Sequence, residues 1–188
     1  YDWPGSAESF EAAMRIDPNH ASVHQYYAIW LASHGRFDEA LREMRRAQEL
    51  DHISAIVSTA VGWILYLSGR HAEAAVSLRE ETLASWPRFG VANGVLGQVY
   101  LALGRPDDAI RELKTSVEQR FPPALAALGH VYGVAGRTEE ARQVLEQLQE
   151  RSDQGRYVSA YDRASVHSGL GDSDKTVEWL RRAYEERS

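Results

Sequence analysis

Small and large apolar residues recur along this chain at fixed distances from five regularly spaced glycines. The glycines are Gly35, Gly69, Gly104, Gly136 and Gly171, which lie 34, 35, 32 and 35 residues apart. A small residue stands seven positions before each glycine, and a large apolar one stands nine positions after it. The small residues are Ala28, Gly62, Gly97, Gly129 and Ala164, and the large ones are Met44, Leu78, Leu113, Leu145 and Leu180. A repeat of this length predicts a stack of similar helical hairpins rather than one compact fold.

Each of these glycines is predicted to end the first helix of its hairpin, because glycine adopts the left-handed backbone of a helix C-terminus without a steric penalty. Acidic residues follow the first four glycines closely, as at Asp38 and Glu39, where negative charge stabilises the start of a second helix. Five positions after the glycine an alanine recurs, except that Thr176 replaces it in the last hairpin. Small residues at these places allow two helices to approach closely.

This pattern resembles the tetratricopeptide repeat (TPR), a 34-residue helix–turn–helix unit, over essentially the whole chain. The resemblance implies an all-α fold, a right-handed superhelical solenoid of antiparallel helix pairs with about eleven helices. Residues 1–20 match only the second helix of a unit, through Phe10, Ala13 and the pair Asp17 and Pro18. Full repeats are expected, in a single array over residues 1–188, at 21–54, 55–89, 90–121, 122–156 and 157–188.

In this family the first helix of each unit lines a concave groove, so the resemblance also implies where a partner binds. The residues predicted to contact the partner are Gln25, Ile29, Ile56, Thr59, Trp63, Tyr66, Leu67, Gln98, Leu101, His130, Val134 and Tyr161. The second hairpin carries the most apolar set, in which Trp63 and Tyr66 are aromatic residues of the kind that anchor interfaces. The alternative is that Trp63 packs beneath a neighbouring hairpin as ordinary core, because helical spacing alone does not separate core from groove.

Composition and charge exclude several partner classes. A net charge of −6 gives no positive face for phosphate groups, so direct binding of nucleic acid is not expected. The chain has no cysteine, which excludes disulfides and thiolate metal sites. The most apolar run, residues 57–67, is too short to span a bilayer, and no signal peptide is visible. We expect a cytoplasmic protein, or a periplasmic one if a longer protein carries a membrane anchor, since the chain starts at Tyr1 rather than methionine.

Catalytic and cofactor-binding motifs are missing from the sequence. Gly90, Gly94 and Gly97 do not have the spacing of a dinucleotide-binding loop and follow no predicted strand. His20 and His24 are four residues apart, but His20 precedes the predicted helix and no third metal ligand accompanies them. We therefore expect no enzymatic activity, no cofactor and no bound metal.

The last hairpin departs from the repeat at two polar positions. Arg163 stands where the first hairpin has Tyr27, and His167 replaces a large apolar residue. Because the two are four residues apart, they share one helical face, which suggests a polar pocket. The alternative is a loose terminal hairpin in which the stem of Arg163 extends into solvent.

Both ends of the predicted array carry apolar positions that no further repeat covers. These are Phe10 and Met14 at one end and Val177, Leu180 and Tyr184 at the other. Because the ends of a solenoid need polar caps, we expect either additional sequence or self-association to cover them.

The favoured function is a protein–protein interaction module that binds a peptide or protein segment in the concave groove. Family members that grip a C-terminal carboxylate use charged residues that are not present at the matching positions here, so a partner with apolar anchors fits better. The two ends of the chain support an alternative. Residues 1–5 with 13–19, and residues 156–188, resemble TPR segments of bacterial winged-helix transcriptional regulators or serine/threonine kinases, which implies a sensory or regulatory region of a larger protein.

Overall fold

Helices dominate the described part of the chain. The computed structural model describes residues 3–186, which hold eleven α-helices and no β-strand, so the predicted all-α fold class is confirmed. In chain order the helices are α1 (Trp3–Ile16), α2 (Ala21–Ser33), α3 (Phe37–Leu50), α4 (Ala55–Leu67), α5 (His71–Val76), α6 (Gly90–Ala102), α7 (Pro106–Glu118), α8 (Ala124–Val134), α9 (Thr138–Asp153), α10 (Ala160–Gly169) and α11 (Ser173–Glu186). A π-helical segment, Ser77–Leu83, continues α5 without a break. Within residues 3–186, no helix combines the length and the apolar character needed to cross a bilayer.

The described residues form two compact units that divide between residues 95 and 96, within α6. In the first unit α1 packs on α2, α2 on α3, α3 on α4, and α4 on both α5 and the π-helical segment. In the second unit α7 and α9 pack on α8, and α10 packs on α8 and on α11. The consecutive helices in these contacts are therefore neighbours, as short connections require.

The turns between paired helices contain a residue with left-handed backbone. All five glycines of the repeat have φ between 70° and 79°, which a residue with a Cβ atom adopts only at a cost. After Gly35, the N–H of Arg36 donates to the carbonyl oxygen of Leu31 over 3.0 Å and closes the last turn of α2. Arg120, with φ of 61°, adopts the same backbone after α7 although it is not a glycine.

Paired helices approach closely where the repeat has small residues. A Cβ atom added to Gly62 of α4 would lie 2.5 Å from Cγ of Leu78, and one added to Gly97 of α6 would lie 2.6 Å from Cγ of Leu113. Ala28, at the equivalent position of α2, is fully buried. These contacts bear out the predicted role of the small residues at the helix crossings.

The large apolar residue after each glycine is buried in the first three hairpins. Met44, Leu78 and Leu113 are fully buried, and Leu145 is half-buried. Leu180 is 43% exposed at the same position of α11. The last helix therefore keeps part of its apolar face open within the described residues.

A buried polar pair lies beneath the π-helical segment. Thr82 of this segment is fully buried, and its hydroxyl group lies 2.7 Å from that of Ser58 on α4. Gln48 of α3 donates to the Ser58 hydroxyl group over 3.3 Å. The hydroxyl groups are thus hydrogen-bonded inside the core, where an unpaired hydroxyl group would be costly.

Candidate partner-binding surface

The exposed face of α4 is apolar and aromatic. Ile56 and Leu67 are 49% and 43% exposed, and Trp63 and Tyr66 are half-buried. The rings of Trp63 and Tyr66 stack with their centroids 5.2 Å apart. We call these four residues the α4 patch.

The opposite face of α4 supplies the core of the first unit. Val61 is fully buried, and Val57 and Ile64 are also buried. Both faces of α4 are thus apolar, although the core uses only one of them. The α4 patch is therefore exposed apolar surface that the core does not need. Trp63 is less buried than these core residues, so part of its side chain is accessible to a partner.

Helix α2, which packs beside α4, contributes a second group of residues. Ile29 is 49% exposed, and Gln25 is half-buried. Tyr26 on the same helix is 59% exposed, and the family positions did not predict it. The sequence held a signal, since Tyr26 lies three residues before Ile29 and therefore shares its face of the helix.

Thr59 differs from the other predicted contact residues of the first unit. It is 3% exposed, and its hydroxyl group donates to the carbonyl oxygen of Ala55 over 2.7 Å. This hydrogen bond lies within α4, so it satisfies the hydroxyl group inside the helix and leaves almost none of the side chain at the surface.

The predicted contact residues of the second unit are exposed to different extents. Val134 on α8 and Tyr161 on α10 are 54% and 59% exposed. Gln98 and Leu101 on α6, and His130 on α8, are half-buried. Val134 and Tyr161 are therefore the members of this set with most surface available to a partner.

His130 connects α8 to α10. Its Nδ1 lies 3.0 Å from the carbonyl oxygen of Ser165, and because a carbonyl oxygen only accepts, this nitrogen carries the hydrogen. Gly133 and Gly169 bring the two helices so close that a Cβ atom on Gly169 would collide with the carbonyl oxygen of His130. One ring nitrogen of His130 is thus engaged inside the protein.

Arg163 and His167 have separate partners in the last hairpin. The guanidinium carbon of Arg163 lies 4.9 Å from the ring centre of Trp179, and its Nη2 donates to Gln149 over 3.1 Å. Arg163 therefore packs on an aromatic ring rather than extending freely into solvent. His167 is buried, its Nδ1 lies 3.8 Å from Oδ2 of Asp172, and burial lowers the pKa of His167.

His24 is held by two internal contacts. Its Nδ1 lies 2.7 Å from Oε2 of Glu43 on α3, and its Nε2 lies 3.0 Å from the carbonyl oxygen of Pro18. The side chain of His24 is buried, and both of its ring nitrogens are in contact with the protein. These contacts connect the turn between α1 and α2 to α3. Neither nitrogen is left to act with His20 as a metal ligand.

A cleft of about 1050 Å³ lies between α3 and α5 in the first unit, and the sequence did not single it out. Leu41 and Val76 line it together with charged residues that include Arg45 and Glu81. Nη2 of Arg45 donates to Oε1 of Glu81 over 3.2 Å, and hydrogen bonding from Arg45 lowers the pKa of Glu81. Because these charges are already paired, they offer a partner less than the uncharged α4 patch does.

Family models identify the architecture built from these helix pairs. Three models of tetratricopeptide repeats match the sequence, over residues 31–88, 65–129 and 122–147. The structure defines the class as a helical repeat protein with small residues at its helix crossings. The chain belongs to the tetratricopeptide repeat family, as its glycine register predicts.

Several solved structures share the fold. PilW, a widely conserved type IV pilus biogenesis factor, is 24% identical, with 97% of this chain and 84% of PilW covered and a TM-score of 0.74. MamA is 20% identical, with 82% of this chain and 91% of MamA covered and a TM-score of 0.66. YrrB, a TPR protein with an unusual peptide-binding site, is 24% identical, with 95% of this chain and 92% of YrrB covered and a TM-score of 0.58. These likenesses show the fold, a helical solenoid. No curated protein matches the sequence.

Proposed function

We propose that this chain is a binding module that holds a peptide or protein segment against the α4 patch and Ile29 of α2. The observation that carries the proposal is the exposed apolar face of α4, a helix whose opposite face already supplies core residues. The family and the fold support protein interaction as the general function. YrrB, which shares the fold, has a peptide-binding site, and this also supports the proposal.

Trp63 and Tyr66 are the central anchors of the proposed site. Their stacked rings hold each other in place before a partner arrives. The ring of Tyr66 also lies against that of His71, with the two centroids 5.5 Å apart. Side chains that are already ordered lose little entropy on binding, so the area that they bury contributes more to the affinity.

The chemistry of the site favours a partner with apolar side chains. The α4 patch carries no charge, and neighbouring Ile29 and Gln25 add none. A C-terminal carboxylate would lose its hydration there without gaining an ion pair, which is unfavourable. An amphipathic helix or an extended segment would place apolar side chains against Ile56 and Leu67 instead.

The proposed activity is binding without catalysis. The sequence offered His24 as a possible metal ligand and His130 as a partner contact. Both histidines make hydrogen bonds inside the protein. These bonds connect neighbouring elements, so the side chains serve packing. Turnover of a substrate by this chain alone would contradict the proposal.

A peptide-display selection on the wild-type chain tests the proposed site. The selected peptides are titrated by fluorescence anisotropy against wild type, Trp63→Ala and Leu67→Ala. We expect Trp63→Ala to weaken binding by about tenfold or more, as truncation of a central aromatic anchor does, and Leu67→Ala to weaken it less. Val76→Ala is the control, because Val76 is an aliphatic residue of similar exposure on α5, 52%.

Two results would contradict the proposed site. The first is peptide binding that both Trp63→Ala and Leu67→Ala leave unchanged while urea unfolding shows that the variants are folded. The second is a set of selected peptides whose binding depends on their acidic residues, since these would fit the arginines of the cleft between α3 and α5 better than the α4 patch.

A further inference from the structure

Five polar side chains on α3, α4 and the π-helical segment form one closed chain of hydrogen bonds. Arg45 donates from Nη2 to Oε1 of Glu81 over 3.2 Å and from Nη1 to Oε1 of Gln48 over 3.0 Å. Nε2 of Gln48 donates to Oγ of Ser58 over 3.3 Å, and this oxygen lies 2.7 Å from Oγ1 of Thr82. The chain of bonds closes because Thr82 follows Glu81 directly in the sequence. We call these five residues the polar network.

The π-helical segment brings two consecutive residues into the polar network. In the four other hairpins the residue twelve positions after the repeat glycine is buried, and it is Ala47, Ser116, Leu148 or Ala183. In this hairpin it is Glu81, whose side chain is 37% exposed, and Thr82, one position later, is buried instead. The N–H of Ala84 donates to the carbonyl oxygen of Arg79, five residues back, so the π turn holds more residues than an α turn. This shift places Glu81 beside α3 while Thr82 keeps the buried position.

Ser58 lies on the core face of α4, opposite the α4 patch. At 3.6 residues per turn, Trp63 is about 140° around the helix from Ser58. Ser58 is buried, whereas Trp63 keeps part of its side chain at the surface. A rotation of α4 by about 20° would move a side chain at the helix surface by roughly 2 Å. The rotation of α4 therefore decides how Trp63 and Tyr66 are presented to a partner.

The polar network supplies directional contacts to α4. The core contacts of Val61 and Ile64 stabilise the helix, but hydrophobic burial has no direction, whereas a hydrogen bond needs an aligned donor and acceptor. The amide group of Gln48 fits in one orientation, since its oxygen accepts from Arg45 and its nitrogen donates to Ser58. The network thus connects α4 both to α3 of the preceding hairpin and to the π-helical segment of its own hairpin.

We propose that the polar network is a positioning device for the α4 patch, which fixes the rotation of α4 and so holds Trp63 and Tyr66 in the orientation that a partner binds. Ser58 and Thr82 are buried, so they act through α4 and not by contact with the partner. Anchors that are held in place before binding lose less free energy on association. This inference rests on the proposed function, because it names the residues that position the proposed site.

Two substitutions of Thr82 separate positioning from stability. Thr82→Val keeps the shape of the side chain and removes the hydroxyl group, whereas Thr82→Ser keeps the hydroxyl group and removes the methyl group. Both should lower the free energy of unfolding. The peptides selected on the wild-type chain are titrated by fluorescence anisotropy against both variants, with circular dichroism as the check on folding. We expect Thr82→Val to weaken binding about three- to fivefold and Thr82→Ser to stay within about 1.5-fold of wild type.

Arg45→Met and Arg42→Met form a matched pair at the exposed side of the polar network. Each removes one positive charge from α3, and both arginines line the cleft between α3 and α5. Arg42 lies outside the network, because its side chain is 68% exposed and stands 3.9 Å from Glu39. We expect Arg45→Met to weaken peptide binding as Thr82→Val does and Arg42→Met to leave it unchanged. Equal losses in the two methionine variants would overturn the proposal, because they would indicate that the peptide contacts the cleft.

The indole N–H resonance of Trp63 in the free chain gives a readout that needs no partner. It is assigned by its absence from the spectrum of Trp63→Phe. It should shift in Thr82→Val and Arg45→Met and stay in place in Thr82→Ser and Arg42→Met. A resonance that neither Thr82→Val nor Arg45→Met shifts would overturn the inference.

The two proposals fail in different ways. Peptides that Trp63→Ala releases, but that Thr82→Val and Thr82→Ser bind equally well, would overturn the positioning role and leave the proposed function standing. Peptides whose binding does not depend on Trp63 would count against the proposed function instead. In that case the indole resonance still decides whether the polar network fixes the rotation of α4.

Discussion

In the last hairpin, Nδ1 of His167 lies 3.8 Å from Oδ2 of Asp172. The same two positions of the preceding hairpin hold Tyr132 and Arg137, whose guanidinium carbon lies 4.8 Å from the centre of the tyrosine ring. A cation–π contact is thus replaced by a histidine and a carboxylate that stand just beyond hydrogen-bond distance. The replacement puts a group that titrates near neutral pH into a buried position.

We predict that the folded protein loses stability on acidification because of His167. Burial lowers the pKa of His167 from its ordinary value of 6.5, Lys175 lowers it further, and Asp172 and Glu178 oppose the shift. The folded chain therefore binds this proton less readily than the unfolded chain does, and protonation favours unfolding. The contribution of His167 is fully present above the unfolded value of 6.5 and is lost as the pH falls through the lower folded value.

Urea denaturation of wild type and of the double variant His167→Tyr with Asp172→Arg, between about pH 5 and pH 8, measures this contribution. The double variant restores the tyrosine and arginine of the preceding hairpin and removes the titrating imidazole. Groups remote from positions 167 and 172 contribute equally to both proteins and cancel in the difference, and the Asp172 carboxylate stays ionised over most of this pH range. We expect wild type to lose free energy of unfolding relative to the variant as the pH falls. A difference that does not change with pH would contradict the prediction.

The register of the hairpins was predictable because it rests on local rules. Gly97 ends up against Leu113 as the spacing predicts, since a small residue is needed wherever two helices cross closely. Arg120 shows the limit of these rules. It has a left-handed backbone, and because it is not a glycine, the spacing of the glycines did not predict it. The π-helical segment also escaped prediction, since its buried residues Ser77 and Thr82 have no distinctive local pattern.

The candidate site was predictable only in part. The family positions include Trp63 and Leu67, which the structure leaves accessible, but they give equal weight to the buried Thr59. They also pass over the exposed Tyr26. Exposure depends on which neighbouring helix covers a side chain, and this is a property of tertiary packing that a position count does not contain. The repeat boundaries and the contacts with a partner stay predictions.

Replacing Arg120 by glycine should stabilise the second unit. A left-handed backbone costs a residue with a Cβ atom about 1–2 kcal/mol, and glycine avoids this cost but loses more entropy on folding. We therefore expect Arg120→Gly to raise the free energy of unfolding by about 0.5–1 kcal/mol. The reciprocal variant is Gly136→Arg, at φ of 74°, which should lower it by about 1 kcal/mol. Urea denaturation measures both, and destabilisation by Arg120→Gly would mean that the arginine side chain contributes more than its backbone costs.

The close crossing of α8 and α10 should tolerate added volume less well than the crossing of α4 with the π-helical segment. A Cβ atom on Gly169 would meet backbone atoms of His130, which do not move unless α8 itself moves. A Cβ atom on Gly62 would meet Cγ and Cδ2 of the Leu78 side chain, which can turn about χ1 without moving a helix backbone. Overpacking costs about 1–3 kcal/mol, and we expect Gly169→Ala at the upper end of this range. For Gly62→Ala we expect about 1 kcal/mol, because the helix propensity of alanine offsets part of the strain.

Urea unfolding of the two alanine variants measures this difference, with Ser168→Ala as the control. Ser168 is an exposed neighbour of Gly169 on α10, and its replacement should change the free energy of unfolding by less than about 0.5 kcal/mol. The hydrogen bond from His130 to Ser165 supplies a second readout, because separating α8 from α10 would lengthen it. The imidazole resonances of His130 should therefore shift in Gly169→Ala and stay in place in Gly62→Ala. Equal losses of stability in the two variants would refute the prediction, since they would mean that two helix backbones separate as easily as one leucine side chain rotates.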